Sequence, residues 1–345
     1  MSMRSLRLAK LAAGALCFLP PASMAQSPKP LRFVMDWAAQ GPQAIFLTPE
    51  GQQCYGKAGL AVTTDRGYGS GDTITKVGAG TYDVGFADLN AMIEYNARNP
   101  GSKEVAIFVI YDGSPLSIVT LKENKIEKPA DLVGRTVSAP PGDASRRLLP
   151  LLASANGFDA STVKLNNVSP EVRESLLARR GTDAIAGAAF TAFMGVRGAQ
   201  VPADQIVVMR YSSFGVDLFG SSLVVRKDFA EANAEALKAF VGCVVVGIKT
   251  AMADPKGAIA ALKKVDPLTI DTVETERMKL SYDWSIVTDS VKRNGLSFVD
   301  PERLKRTSKQ VADAFGVPVP ASEDVFVDRF LPAKGELALP KAAWN

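Results

Sequence analysis

The sequence predicts an α/β protein of two lobes, each a mainly parallel sheet flanked by helices, with a cleft between them. Three observations predict it. Short β-rich runs alternate with helical stretches from Leu31 to Tyr111, the pattern of a parallel sheet covered on its faces. A second set of elements in similar order follows Ser114-Pro115. Polar, aromatic and glycine residues recur at the carboxyl ends of successive strands, the edge at which open α/β sheets bind small ligands.

The elements follow in order. Strands are expected at 31–37, 60–66, 82–87 and 104–111, with helical segments at 42–57, 71–79 and 89–97. Thr48-Pro49-Glu50-Gly51 should kink or split the first helix, because proline removes a donor and glycine weakens the turn. In the second unit Leu116–Leu121 is β-rich and Lys128–Leu132 starts a short helix. Thr136–Ala139 is a strand broken by Pro140-Pro141-Gly142, and Ala144–Ala155 reads as a helix. Ser169-Pro170 has the form of an N-cap followed by proline, opening a helix to Arg180. Strands at Asp183 and Ile206 complete the unit, and Ser221–Val225 leads back out of it. Leu237, Phe240, Val241, Val244, Val245 and Ile248 form one apolar helical stripe. Asp254-Pro255 and Asp300-Pro301 start two more helices, and the amphipathic segment after Pro301 is expected to pack on the first lobe.

Composition narrows the function. Hydrophobic residues make up 47% of 345, enough for a sizeable core. The first 25 residues have the form of a cleavable export signal: Arg4, Arg7 and Lys10, a short apolar run, then Ser23-Met24-Ala25. That segment holds three bases and no acid, so the remaining chain is near neutral and offers no patch for nucleic acid. The run Phe240–Ile248 is too short to span a bilayer, and no membrane insertion is expected. Cys54 and Cys243 can pair in an oxidising compartment or sit as buried thiols; sequence leaves both open. Histidine is absent, which excludes Ser-His-Asp and Cys-His nucleophiles, histidine metal sites and imidazole acid–base work. No cofactor or metal is implied.

Four stretches, in order, carry a family resemblance: FVMDWAAQGPQA at 33–44, DRGYGSGDTITKVGAGTYDVGFADLNAMI at 65–93, KPADLVGRTVSAPPGDASRRL at 128–148, and VDLFGSSLVVRKDFAEANAEALKAFV at 216–241. Together they resemble the periplasmic substrate-binding proteins of ABC importers, of the thiamine-pyrimidine and nitrate–sulfonate–taurine type. The resemblance implies the two-lobe periplasmic-binding-protein fold (type II). Residues 26–115 and 221–345 then form the first lobe and 116–220 the second, with crossings near Ser114–Ser117 and Phe219–Leu223. It also implies a small-molecule ligand between the lobes, a membrane permease with its ATPase as partner, and a periplasmic location; a monomer is expected. One departure is informative. Pyrimidine-binding relatives and the related pyrimidine-forming enzymes resemble DW-x-P-N-x-x-H after the first strand, whereas Asp36-Trp37 is followed here by AAQGPQ and no histidine exists. That favours binding over chemistry.

The candidate ligand-binding residues sit at strand ends. Trp37 can stack on a flat ligand and Asp36 accept from an amino group, with Gln40 close by. Tyr68, Ser70, Gly71 and Asp72 combine a close-approaching glycine turn with free helix-start N–H groups suited to an anion or a ring carbonyl. Asp88, Asn90 and Tyr111 follow the next two strands. From the second lobe come Gly142, Asp143 and Arg146, the last as an anion clamp, with Phe190, Phe214 and Asp217 as a far wall. A solvated surface position is the competing role for Arg146, and capping, a plain turn or core packing for the others; Trp284 is unassigned. A small planar or anionic organic compound, a heteroaromatic such as a pyrimidine foremost, is the expected ligand. Nitrate, sulfonate or taurine, a sensory role, and an enzyme of pyrimidine metabolism are the alternatives.

Overall fold

Residues 27–101 and 103–343 are described by the computed structural model. The expected export signal lies outside the described residues. Ten strands are described: β1 (Lys29–Val34), β2 (Leu60–Asp65), β3 (Val84–Asp88), β4 (Glu104–Val109), β5 (Leu116–Leu121), β6 (Thr136–Ala139), β7 (Lys164–Asn167), β8 (Ala184–Ala188), β9 (Ile206–Arg210) and β10 (Ser221–Arg226). They form two five-stranded sheets, ordered β2-β1-β3-β10-β4 and β7-β6-β8-β5-β9.

The sheets repeat one topology. In each, four strands run in one direction, and one strand entering from the other lobe lies antiparallel between the third and fourth. That strand is β10 in the first sheet, paired with β3 and β4, and β5 in the second, paired with β8 and β9. The chain crosses between lobes through residues 110–115 and 211–220. β3, β4 and β5 are buried along their whole length, and β10 along all but its last residue, so they read as continuous apolar runs without alternation.

Local chemistry explains most boundaries. The expected split in the first helical segment occurs: a 3₁₀ turn, Gly41–Phe46, ends before Thr48, whose hydroxyl caps the helix Pro49–Lys57. The second-lobe helix at Ala144 breaks too, into Ala144–Arg147 and Leu149–Ala155, with Pro150 near the start of the second piece. The helix expected from Ser169-Pro170 begins only at Arg173: Ser169 closes a turn onto Val172 first, and Arg173 turns inward. Several elements lie outside the sequence expectations, among them the helix Ala189–Gly198, which carries Phe190 and Thr191. β7 is an exposed polar edge strand with no apolar alternation to mark it. The helix Asp271–Ser281, which runs on into a π-helical turn at Tyr282–Ile286, buries Glu274 and Arg277 and lacks an apolar stripe. The helix Pro301–Phe315 packs on helices of both lobes rather than on the first alone.

The 20-residue helix Ala234–Ala253 is long and apolar enough to cross a membrane by length and composition. In the folded chain its stripe of Leu237, Phe240, Val241, Val244 and Ile248 is buried in the first-lobe core. Cys243 on that helix is joined to Cys54 on Pro49–Lys57, with Cα atoms 5.4 Å apart. The bridge closes a long loop, so it removes much freedom from the unfolded chain. Replacing both cysteines by serine should cost about 2–4 kcal/mol in urea unfolding, both proteins being compared without reductant. An unchanged midpoint would show the bridge to be dispensable.

Candidate functional site

The carboxyl ends of β1, β3, β6 and β8 point into one seam between the lobes. There they enclose a cavity of about 50 Å³. Its wall takes Asp36, Trp37, Gln43, Ser70, Asp88 and Tyr111 from the first lobe, and Asp143, Ser145, Arg173, Phe190 and Thr191 from the second. Most of these positions follow a strand directly, where the backbone turns from sheet to helix and cannot fill the space itself.

Asp88 ends β3 and caps the helix Leu89–Arg98: its Oδ1 accepts from the Asn90 and Ala91 N–H groups at 2.9 and 3.1 Å and from the Asn90 amide at 3.1 Å. Its own N–H donates to Ser70 Oγ, which fixes the turn before the helix Ser70–Gly78. Asp36 Oδ1 accepts from Gln43 Nε2 at 3.0 Å. Asp143 receives the Arg146 N–H on one oxygen and Arg173 Nη1, 2.9 Å away, on the other. Arg173 is 1% exposed, also pairs with Glu174, and lies 4.6 Å from the centre of the Trp37 ring across the seam. Tyr111 packs edge-on against Phe86 and Phe190.

Carboxylate crowding shows in the acidities. Burial pushes the Asp36 carboxyl up to about 7, against the Gln43 hydrogen bond, and Asp88 and Asp143 repel it further. Asp88 is pushed up to about 6 by burial, against its N–H partners. Burial also raises Asp143, with Arg173 opposing.

The lobes stand closed. Gly71 N–H donates across the seam to the Gly142 carbonyl at 3.0 Å. Arg147 pairs with Glu94, Arg66 with Glu171, and Arg197 with Glu276, each pair joining the two lobes. The last two are exposed pairs worth about 0–1 kcal/mol each, so they do not lock the seam. Arg277, 5% exposed, does more: it donates to the Thr191 carbonyl of the second lobe and to Gln40 while paired with Glu274. Trp284 also lies at the seam, beside Phe193 and under Arg210.

Of the residues singled out from sequence, Asp36, Trp37, Ser70, Asp88, Tyr111, Asp143 and Phe190 line the cavity. The others stand elsewhere. Gln40 receives Arg277, Tyr68 is 45% exposed beneath Arg66, Asp72 pairs with Lys76, and Asn90 holds Asp88 and the Phe219 carbonyl. Gly71 and Gly142 bond to each other across the seam. Arg146 donates one guanidinium N–H to the Ala139 carbonyl and does not line the cavity. Phe214 packs with the second-lobe core, and Asp217 pairs with Arg303 outside the cleft. Arg173, Gln43, Ser145 and Thr191 went unmarked. Gln43 lies within the quoted 33–44 stretch, so the signal was at hand; Arg173 had none, since its neighbours Glu171 and Glu174 mark an ordinary surface helix.

This two-lobe, cleft-centred fold is that of the periplasmic binding proteins. The alkanesulfonate-binding protein SsuA from Xanthomonas axonopodis pv. citri, solved bound to MOPS, superposes with a TM-score of 0.66 at 14% identity, over 88% of this chain and 100% of that one. The periplasmic aliphatic sulphonate-binding protein SsuA from Escherichia coli gives 0.64 at 16%, over 87% and 96%. The periplasmic nitrate-binding protein NrtA from Synechocystis PCC 6803 gives 0.54 at 13%, over 72% and 69%. No curated protein matches the sequence significantly. Residues 44–258 match the NMT1/THI5-like family, and the chain belongs to it.

Two outcomes follow from the geometry. A Cβ on Gly142 would lie 3.1 Å from the Tyr68 carbonyl oxygen and 3.3 Å from the Asp72 nitrogen, both in the other lobe. Gly142→Ala should therefore loosen the seam by a few tenths of an ångström and weaken solute binding in calorimetry, while leaving the melting temperature nearly unchanged; unaltered binding would contradict it. Because burial makes Asp36 and Asp88 weaker acids, the folded chain holds more protons than the unfolded one between about pH 4 and 7. Stability should fall as pH rises through that window and level off above it. Asp36→Asn should then be more stable than the parent by about 1–3 kcal/mol at pH 8 and similar to it at pH 4, as read from urea midpoints.

Proposed function

We propose that the protein captures a small planar organic solute in the periplasm and presents it, lobes closed, to an ABC permease and its ATPase. One observation carries this reading: the cavity is walled from both lobes at once, by Asp36, Trp37, Asp88 and Tyr111 on one side and Asp143, Arg173 and Phe190 on the other. A solute touching both lobes favours the closed state over the open one, as a receptor read by a permease requires. Membership of the NMT1/THI5-like family and the likeness to the SsuA and NrtA binding proteins support it. The Cys54–Cys243 bridge and the signal-like leading segment fit an exported protein.

A heteroaromatic solute is preferred over nitrate or a sulfonate. Trp37, Tyr111 and Phe190 offer aromatic surface, whereas the lining cation, Arg173, already holds two carboxylates. Size bears on this: a benzene-binding cavity measures about 150 Å³, against about 50 Å³ here. A ring would hold the lobes further apart than they now stand. The sulfonate and nitrate reading rests on the structural likeness and requires Arg173 to exchange a carboxylate for the ligand.

Mass spectrometry of solute released by denaturing gently purified protein should find a small aromatic or heteroaromatic compound, chemically unchanged after long incubation. Trp37→Ala should weaken its binding about ten-fold in calorimetry. Tight binding to inorganic anions alone would contradict the proposal, and conversion of the solute would restore the enzyme alternative.

A further inference from the structure

We infer that the cavity recognises a positively charged nitrogen group, an amidinium, guanidinium or ammonium, held by Asp88 and Asp36. This rests on the reading of the cavity as the solute site.

Asp88 is 1% exposed, and its capping role uses only Oδ1; Oδ2 has no partner although it is buried against the cavity. A cap alone does not account for that second oxygen. Two more buried acceptors face the same space without a partner, Gln43 Oε1 and the Tyr111 hydroxyl. The Gln43 amide nitrogen is already committed to Asp36, which leaves its carbonyl oxygen for a donor. Buried acceptors left unpaired are costly, and a charged donor satisfies them best. Several acceptors in one wall match a head that carries several N–H groups.

The charge balance agrees. Asp36, Asp88, Asp143 and Glu174 bring four negative charges when ionised, and Arg173 one positive charge. The helices starting at Ser70, Leu89 and Ala189 turn their amino ends to the seam, adding about half a charge each. The sum stays negative by about 1.5 charges. Of the other arginines near the seam, Arg147 and Arg277 are paired with Glu94 and Glu274, and Arg146 turns to the Ala139 carbonyl outside the cavity lining. An anion would enter against this field, whereas a cation would offset the burial, and the lesser repulsion, that raise Asp36. Space agrees as well: about 10–15 Å³ admits one water molecule, so the cavity of about 50 Å³ has room for a few small atoms, the size of an amidinium head, but not for a whole ring.

The test is calorimetry at pH 8 with two isosteric series: benzamidinium, benzamide and benzoate, then acetamidinium, acetamide and acetate. In each series that gives measurable binding, the amidinium should bind about ten-fold or more tightly than the amide, and the carboxylate least. Asp88→Asn, which keeps the capping oxygen, should cost the amidinium about ten-fold and the amide less than about two-fold. Asp36→Asn gives a second reading if the Asp88 variant does not fold. Equal or tighter binding of an amide or carboxylate overturns the inference, as does failure of both amidiniums to bind. The receptor reading stands or falls separately, on whether the purified protein carries any solute at all.

Discussion

The double crossing between the sheets is the constraint on which the rest depends. Because β5 and β10 each enter the opposite lobe antiparallel, the parallel strands of both lobes deliver their carboxyl ends to one seam. The crossings touch: a Cβ on Gly220 would lie 2.9 Å from both the Pro115 ring and Tyr111 Cβ, so only glycine permits the approach. Arg303 lies over the pair, donating to the Asp112 carboxylate and carbonyl and to the Leu218 carbonyl, with its guanidinium 4.1 Å from the Phe219 ring centre. One side chain thus ties the outgoing crossing to the returning one.

Topology, then, assembles the site. Asp36, Asp88, Asp143 and Phe190 lie far apart in sequence and meet because each follows a strand aimed at the seam. The cost is electrostatic. Carboxyls driven together in a dry cleft are pushed towards neutrality, and Arg173 answers only part of the excess. Exposed ion pairs rim the cleft, more buried contacts of Arg277 and Arg147 cross it, and the acidic wall works against them.

Strand-end logic made a good part of this legible from sequence. Asp36, Trp37, Ser70, Asp88, Tyr111 and Asp143 were marked because polar or aromatic residues ended apolar strands, and that is the geometry which lines the cavity. Errors came where a residue type suggested a role that local geometry assigned elsewhere. Gln40 and Gln43 are indistinguishable by type, but the 3₁₀ turn at Gly41–Phe46 sends one to Arg277 and the other to Asp36. Arg146 and Arg173 show the same thing more sharply. The expected clamp bonds its own strand's Ala139 carbonyl, while the arginine of an unremarkable helix is buried in the cleft. The Cys54–Cys243 pairing depends on two helices packing side by side, which no spacing in the sequence states.

A crystal structure of the protein carrying the solute with which it purifies is the most direct test. The account predicts one small molecule between the lobes, in contact with Asp88 and Asp36 on one side and the Phe190 wall on the other. A solute seated outside this seam, or one touching a single lobe, would contradict it.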